Sequence, residues 1–203
     1  MNEAISGSVA LVTGGSRGIG RSISLALGSR GVKVAVNYIS DQSAAEKVLS
    51  EIRAAGGEGD VFRADVASES DVAKMVSQVE SELGPVDFLI TSAGIGEPTP
   101  HVDFDMETFR KIMRVNVEGT VLPVMAVKDS MLSRGRGSIV CISSIAGLRS
   151  RPGMIAYSTS KAAVIGFVRN MAGALVPDVR VNGIAPGLIK TDMTLSMDAK
   201  ILA

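Results

Sequence analysis

Val9-Ala10-Leu11-Val12-Thr13-Gly14-Gly15-Ser16-Arg17-Gly18-Ile19-Gly20 reads as a strand, a glycine-rich turn and the first residues of a helix. Val9 to Thr13 is short, apolar and continuous, the pattern of a strand buried on both faces of a parallel sheet. Beyond the turn, Ile23, Leu25, Ala26 and Leu27 continue a helical pattern. Gly14, Gly18 and Gly20 thus stand where bare backbone N–H groups and a helix N-terminus can hold a pyrophosphate. Their spacing, Gly-x-x-x-Gly-x-Gly, is one step away from the commoner Gly-x-Gly-x-x-Gly fingerprint. The strand before and the helix after favour a nucleotide over a turn that is glycine-rich for conformation alone.

The same alternation runs through the chain. Lys33 to Tyr38 is a second strand, and Ser40 or Asp41 caps a helix up to Ala55 that Gly56-Gly57 ends. Glu58 to Arg63 reads as strand three, and Glu69 to Leu83 as an amphipathic helix closed by Gly84-Pro85. Val86 to Thr91 is strand four, and Phe104 to Ser133 contains a long helix capped near Asp105. Ser138 to Ser144 is strand five, a helix through Tyr157 and Lys161 runs to about Leu175, and Val179 to Ile184 is strand six. Strict alternation predicts one α/β domain over residues 1–203, a three-layer, doubly wound parallel sheet of Rossmann type. In such sheets ligands bind at the carboxyl ends of the strands.

Composition narrows the partner. Lysine plus arginine equals aspartate plus glutamate at 21 each, so no global field attracts nucleic acid or an anionic membrane. A small molecule is the expected partner. The single cysteine, Cys141, lies in an apolar run and is read as a buried, inert thiol; a disulfide framework or cysteine-rich zinc site is ruled out and no metal is expected. Without a signal core or membrane-length run, a cytoplasmic location is expected, although a targeting peptide removed on import would leave no trace.

The cofactor type turns on the end of the second strand. An NAD site offers an acid there to the ribose 2′-hydroxyl, whereas this chain has Val36-Asn37-Tyr38 and no acid until Asp41, read here as a helix cap. Arg17 in the glycine turn is close enough in sequence to reach a 2′-phosphate. NADPH is therefore expected in preference to NADH. Tyr157 and Lys161, four residues apart at the start of a helical segment, stand on one face and can reach one point in space.

Thr13-Gly14-x-x-x-Gly18-x-Gly20, Asp65-Val66, Asn116, Ser144, Tyr157-x-x-x-Lys161 and Pro186-Gly187 together resemble, in order and spacing, the short-chain dehydrogenase/reductase family over Val9 to Met193. Within it, the Gly-Ser-Arg-Gly-Ile-Gly loop, the segment from Arg180 to Gly187 and Thr191-Asp192-Met193 are most similar to the 3-oxoacyl-[acyl-carrier-protein] reductases of fatty acid synthesis. The resemblance implies a catalytic tetrad of Asn116, Ser144, Tyr157 and Lys161. Tyr157 would exchange the proton, Ser144 would hold the carbonyl oxygen, Lys161 would hold the nicotinamide ribose, and Asn116 would bind a water leading from Lys161 to solvent. It implies cofactor contacts at Gly14, Ser16, Arg17, Gly18, Ile19, Gly20, Asn37, Asp65, Val66, Ala93, Gly94, Pro186, Gly187 and Thr191 besides Tyr157 and Lys161, with Asp65 at the adenine. It also implies a homotetramer packed through the long helices of Asn116 and Tyr157. A free tyrosine ionises near pH 10; the neighbouring ammonium, helped by an oxidised nicotinamide, is expected to lower that value.

Two departures stand out. Thr91-Ser92-Ala93-Gly94 stands where the family has Asn-Asn-Ala-Gly; serine reaches less far than asparagine toward neighbouring strand ends and the adenosine ribose side, and a tolerated substitution is expected. The chain also stops at Ala203, before the family's last strand and helix, so an apparent C-terminal truncation and an exposed strand six are expected. Three activities stay open: reduction of a 3-oxoacyl thioester or similar ketone, possession of a sugar, polyol or steroid alcohol dehydrogenase activity, and a non-catalytic nucleotide-binding assembly role. His101 is read as a solvated loop histidine with no necessary task.

Overall fold

A computed structural model describes residues 5–195. Six strands, β1 (Val9–Thr13), β2 (Lys33–Tyr38), β3 (Gly59–Arg63), β4 (Val86–Thr91), β5 (Gly137–Ile142) and β6 (Val179–Ile184), form one parallel sheet in the order β3-β2-β1-β4-β5-β6. The order reverses between β1 and β4, which opens a crevice beyond their carboxyl ends. Thr13 and Thr91, the last residues of these strands, are register partners.

Alternate side chains of each strand enter opposite layers. On one face Val9 and Leu11 join a core with α3 (Glu69–Glu82), α5 (Gly119–Ser133) and α6 (Ile155–Ala174). On the other, Ala10 and Val12 pack with residues of α1 (Gly18–Gly28) and α2 (Gln42–Ala54). Cys141 is buried in the first of these cores. Asp41 and Ser68 cap α2 and α3 by accepting the N–H groups of Ala44 and Asp71. No helix among the described residues is long and apolar enough to cross a membrane.

The long helix expected over Phe104 to Ser133 is broken. It consists of α4 (Met106–Met113), a π-helical turn at Arg114–Glu118 and α5. Pro123 has no N–H to bond back one turn to Gly119, the residue that follows the π turn. The widened turn points the Asn116 carboxamide inward, where it binds a neighbouring loop. Strand five is shorter than expected, because Ser144 caps a 3₁₀ turn, Ile145–Gly147, instead of continuing the strand. At the far edge of the sheet Val179 and Val181 are buried, while Arg180, Asn182 and Ile184 face outward. A short helix, α7 (Asp192–Leu195), closes the described chain.

Candidate active site

The crevice is a cleft of about 490 Å³. Its first wall is the glycine turn. Gly14 has φ of 61°, and a β-carbon there would stand 2.8 Å from the Ala93 Cα, so both conformation and the approach of the loop after β4 require glycine. Thr13 Oγ1 accepts the N–H groups of Ser92 (3.1 Å) and Ala93 (3.3 Å) and ties the two loops together. These bonds use backbone donors after β4, so the change from asparagine to Thr91-Ser92 leaves them in place. The first N–H groups of α1 lack intrahelical partners and receive no side-chain cap.

Asn37 supports this turn from behind. Its Oδ1 accepts the Gly14 N–H at 3.1 Å, its carbonyl accepts that of Gly15 at 3.0 Å, and its Nδ2 donates to the carbonyls of Phe62 and Ala64 at 3.2 Å each. The carboxamide is thereby committed to protein partners although it borders the cleft. Arg17 is committed as well: its guanidinium pairs with Asp41 Oδ2. Asp41 thus does more than the cap read from the sequence, and it borders the cleft with Arg17. The Ala44 N–H first, and then Arg17, hold its carboxyl below the usual carboxylate range.

At the opposite end lie Ser144, Tyr157 and Lys161. Ser144 follows β5, Tyr157 and Lys161 start α6, and the Ser144 side chain hydrogen-bonds the Tyr157 hydroxyl. Ser143 turns the other way and donates to the Lys161 carbonyl at 2.8 Å, so only Ser144 serves the tyrosine. Lys161 is 5% exposed; its Nζ donates to the Ile142 carbonyl at 3.0 Å and sits 5.7 Å from the Tyr157 ring centroid. Burial pulls the ammonium down to about 8. Cys141, pushed up by its own burial, stays a neutral thiol and gives Lys161 no counter-charge near neutrality.

The expected lowering of the Tyr157 pKa does not occur in this state. Burial of the phenol raises it, and the bond from Ser144 opposes that only in part. The physical reason is that desolvation penalises the phenolate by more than the Ser144 hydrogen bond favours it. The Asn116 carboxamide is fully engaged within the protein. Its Oδ1 accepts the Ile95 N–H at 2.8 Å, and its Nδ2 donates to the Ile95 carbonyl and Ser160 Oγ, both at 2.9 Å. Its side chain is therefore a buried brace between the loop after β4 and α6. A β-carbon on Gly94 would lie 3.2 Å from Asn116 Oδ1 and 3.5 Å from Lys161 Nζ, so the bare glycine is what lets this loop meet both.

Ser16, Gly18, Ile19, Asp65, Val66, Ala93, Gly94, Pro186, Gly187 and Thr191 also line the cleft. Gly20 does not: a β-carbon there would stand 2.3 Å from the Gly14 carbonyl oxygen, so this glycine lets α1 close against the turn. His101 is exposed and stands outside the cleft. Sequence reasoning missed Ser160 and the second role of Asp41. The signals were a hydroxyl inside Tyr-x-x-x-Lys and the first acid beyond strand two. Next to Ser144 and Tyr157, a smaller recess of about 90 Å³ is lined by Ile145, Ala146, Arg151, Met154, Leu188 and Met193 among others.

A glycine turn over a topological switch point and a Ser, Tyr and Lys cluster at the other end of one cleft define a nucleotide-dependent α/β oxidoreductase. The chain belongs to the short chain dehydrogenase family, whose model matches residues 8–201. It is 39% identical to a 3-oxoacyl-[acyl-carrier-protein] reductase of Synechocystis sp., an alignment that covers 97% of this chain and 80% of that protein. It is 38% identical to versicolorin reductase 1 of Aspergillus parasiticus over 99% of this chain and 77% of that protein. An NAD+-bound xylitol dehydrogenase superposes with a TM-score of 0.88 at 35% identity, covering 91% of this chain and 72% of that one.

Proposed function

We propose that this chain is a reductase that uses NADPH to reduce the ketone of a 3-oxoacyl thioester, with an acyl-carrier-protein-bound substrate as the reading favoured by its relatives. The observation that carries the reading is the Ser144 and Tyr157 hydroxyl pair at the inner end of the cleft, with a buried lysine behind it. The residues fit a dinucleotide. The uncapped N-terminus of α1 and the bare Gly14 and Gly18 suit a pyrophosphate, and Asp65 and Val66 border the space for an adenine. Pro186, Gly187 and Thr191 would flank the nicotinamide and Lys161 its ribose.

When bound, the nicotinamide supplies the hydride. Tyr157 donates its proton to the carbonyl oxygen as charge develops there, and the raised pKa keeps that proton available near neutrality. Ser144 donates a hydrogen bond to the same oxygen. Lys161 favours the phenolate left behind, and its ammonium is lost as pH rises through about 8. Asn116 holds the Gly94 loop and α6 in register. The apolar recess beside Ser144 suits the acyl portion of a ketone.

One observation favours a second reading, an NAD-dependent alcohol dehydrogenase: Asp41 stands beside the cleft with a carboxylate that a ribose 2′-hydroxyl can donate to. Absorbance of NADPH and NADH is followed with an acetoacetyl thioester and with a panel of sugar and polyol alcohols. The expected result is NADPH-dependent thioester reduction that falls by roughly 10²- to 10⁴-fold in Tyr157→Phe, with NADPH binding retained. A wild type that binds NADPH, turns over nothing and matches the variant would instead leave a non-catalytic nucleotide-binding subunit.

A further inference from the structure

We infer that Thr99, which lines neither the cleft nor the recess, is a positioning residue for Tyr157: it caps α6 from the loop after β4 and fixes the phenol against Ser144. The inference rests on the reading that Tyr157 donates the proton to the ketone.

A helix begins with backbone N–H groups that find no partner in its own turns. In α6 the capping position is held by Met154, whose side chain lines the recess and makes no capping bond. The next two residues, Ile155 and Ala156, come immediately before Tyr157. Thr99 satisfies both: its carbonyl accepts the Ile155 N–H at 3.2 Å, and its Oγ1 accepts that of Ala156 at 2.9 Å. Its own N–H donates to the Gly153 carbonyl at 2.9 Å, and it forms a parallel bridge with Met154. The cap of α6 is thus supplied from 57 residues away, by a hydroxyl of the kind that ordinarily caps its own helix.

Thr99 is 2% exposed and Ala156 0%, so water does not replace the hydroxyl as acceptor. An orphaned N–H there is relieved by unwinding the first turn of α6, which swings the phenol away from Ser144. Lys161 is anchored beyond that turn, by Nζ on the Ile142 carbonyl and by its own carbonyl on Ser143, whereas Tyr157 sits in the turn itself. The same loop is fastened at Ala93 to Thr13 and at Ile95 to Asn116. Residues 92–99 therefore hold the glycine turn, the π turn and the start of α6 in one register, with Thr99 as the contact to the proton donor. Small misplacements of a reacting group are costly to the rate.

Thr99→Val keeps the shape and the backbone bonds but removes Oγ1, and Thr99→Ser keeps a hydroxyl. NADPH oxidation with an acetoacetyl thioester is followed for both, on the wild-type and Tyr157→Phe backgrounds. Thr99→Val is expected to lower kcat roughly five- to thirtyfold, with the NADPH dissociation constant unchanged, and Thr99→Ser to restore it. On Tyr157→Phe the valine should cost nothing further, because its effect passes through the phenol. Wild-type kcat in Thr99→Val, or a loss repeated in full on Tyr157→Phe, overturns the inference. Amide exchange of residues 155–161 reads the cap without turnover: it should quicken in Thr99→Val and return in Thr99→Ser, and unchanged exchange in Thr99→Val overturns the cap itself. A wild type that reduces no ketone overturns the functional reading and the role of Thr99 in it, while exchange still decides the cap.

Discussion

Lys161 carries a charge where water scarcely reaches, and the same burial acts on Tyr157 in the opposite direction. Desolvation destabilises the ammonium and lowers its pKa from 10.5 to about 8, whereas it destabilises the phenolate and raises the tyrosine. Below pH 8 Lys161 is protonated in both folded and unfolded chains, and the fold bears the whole desolvation cost. Between about 8 and 10.5 the folded chain releases the proton and the unfolded chain keeps it, so stability from this group rises with pH. The shift corresponds to something on the order of 3 kcal/mol. Lys161→Met is expected to abolish reduction yet to unfold at higher denaturant than wild type at pH 7, with the gap closing as pH approaches 10.5. Urea unfolding across that range checks it; a variant less stable than wild type at pH 7 contradicts the assignment of burial as the dominant cost. The pairing of Tyr157 with Lys161 was legible from their i, i+4 spacing. The direction of the tyrosine shift was not, because it depends on how much of the ring the surrounding loops cover.

The glycine turn and the π turn differ in how far sequence discloses them. Strand, turn and helix are written into consecutive residues from Val9 to Leu27, since local periodicity and glycine placement suffice. The π turn at Arg114–Glu118 depends on contacts distant in sequence: Asn116 reaches Ile95 and, through Nδ2, Ser160 on α6. Ser160 Oγ in turn donates to the Tyr157 carbonyl at 2.7 Å, so one fully buried hydroxyl couples the π turn to the first turn of the helix that bears the phenol. Removing it leaves an amide N–H of Asn116 without that acceptor, at a cost of about 1–3 kcal/mol. Ser160→Ala is expected to lose stability in that range and to reduce kcat, while KM for NADPH changes little, since the residue touches no part of the glycine turn. Ser160→Cys, isosteric but a weaker hydrogen bonder, should fall between them in kcat. Unchanged kcat in a destabilised Ser160→Ala would reduce the residue to a packing role. Arg17 illustrates the converse case: its proximity to the strand-two end was legible, but its partner Asp41 is 24 residues away and only folding brings α1 and α2 together.

Across the molecule, the sheet divides at the β1–β4 boundary, and the cleft takes its walls from both halves. Gly14, Asn37 and Asp65 come from the side of β1 to β3, whereas Gly94, Ser144, Tyr157 and Gly187 come from the side of β4 to β6. Alternating strand and helix segments made this architecture legible, because each βα unit announces itself locally and right-handed crossovers leave few arrangements. Substrate preference was less legible, since the recess beside Ser144 draws on Met154, Leu188 and Met193, three apolar residues whose convergence no local pattern reveals. A ligand that spans both halves binds only when they are assembled, so it stabilises the fold by mass action. At a hundredfold excess over the dissociation constant the gain is about 2.7 kcal/mol. For a chain of 203 residues each kcal/mol raises the melting midpoint by roughly 2–4 °C, giving about 5–10 °C with saturating NADPH. Tyr157→Phe should retain this shift, because it removes one hydroxyl at the end of the cleft opposite the glycine turn and leaves both loops in place. Gly14→Ala should lose most of it, because the new β-carbon meets the Ala93 backbone at 2.8–2.9 Å and forces apart the two loops that join the halves. Calorimetric scans with and without NADPH decide the matter: an undiminished shift in Gly14→Ala would place the cofactor away from the β1–β4 crevice.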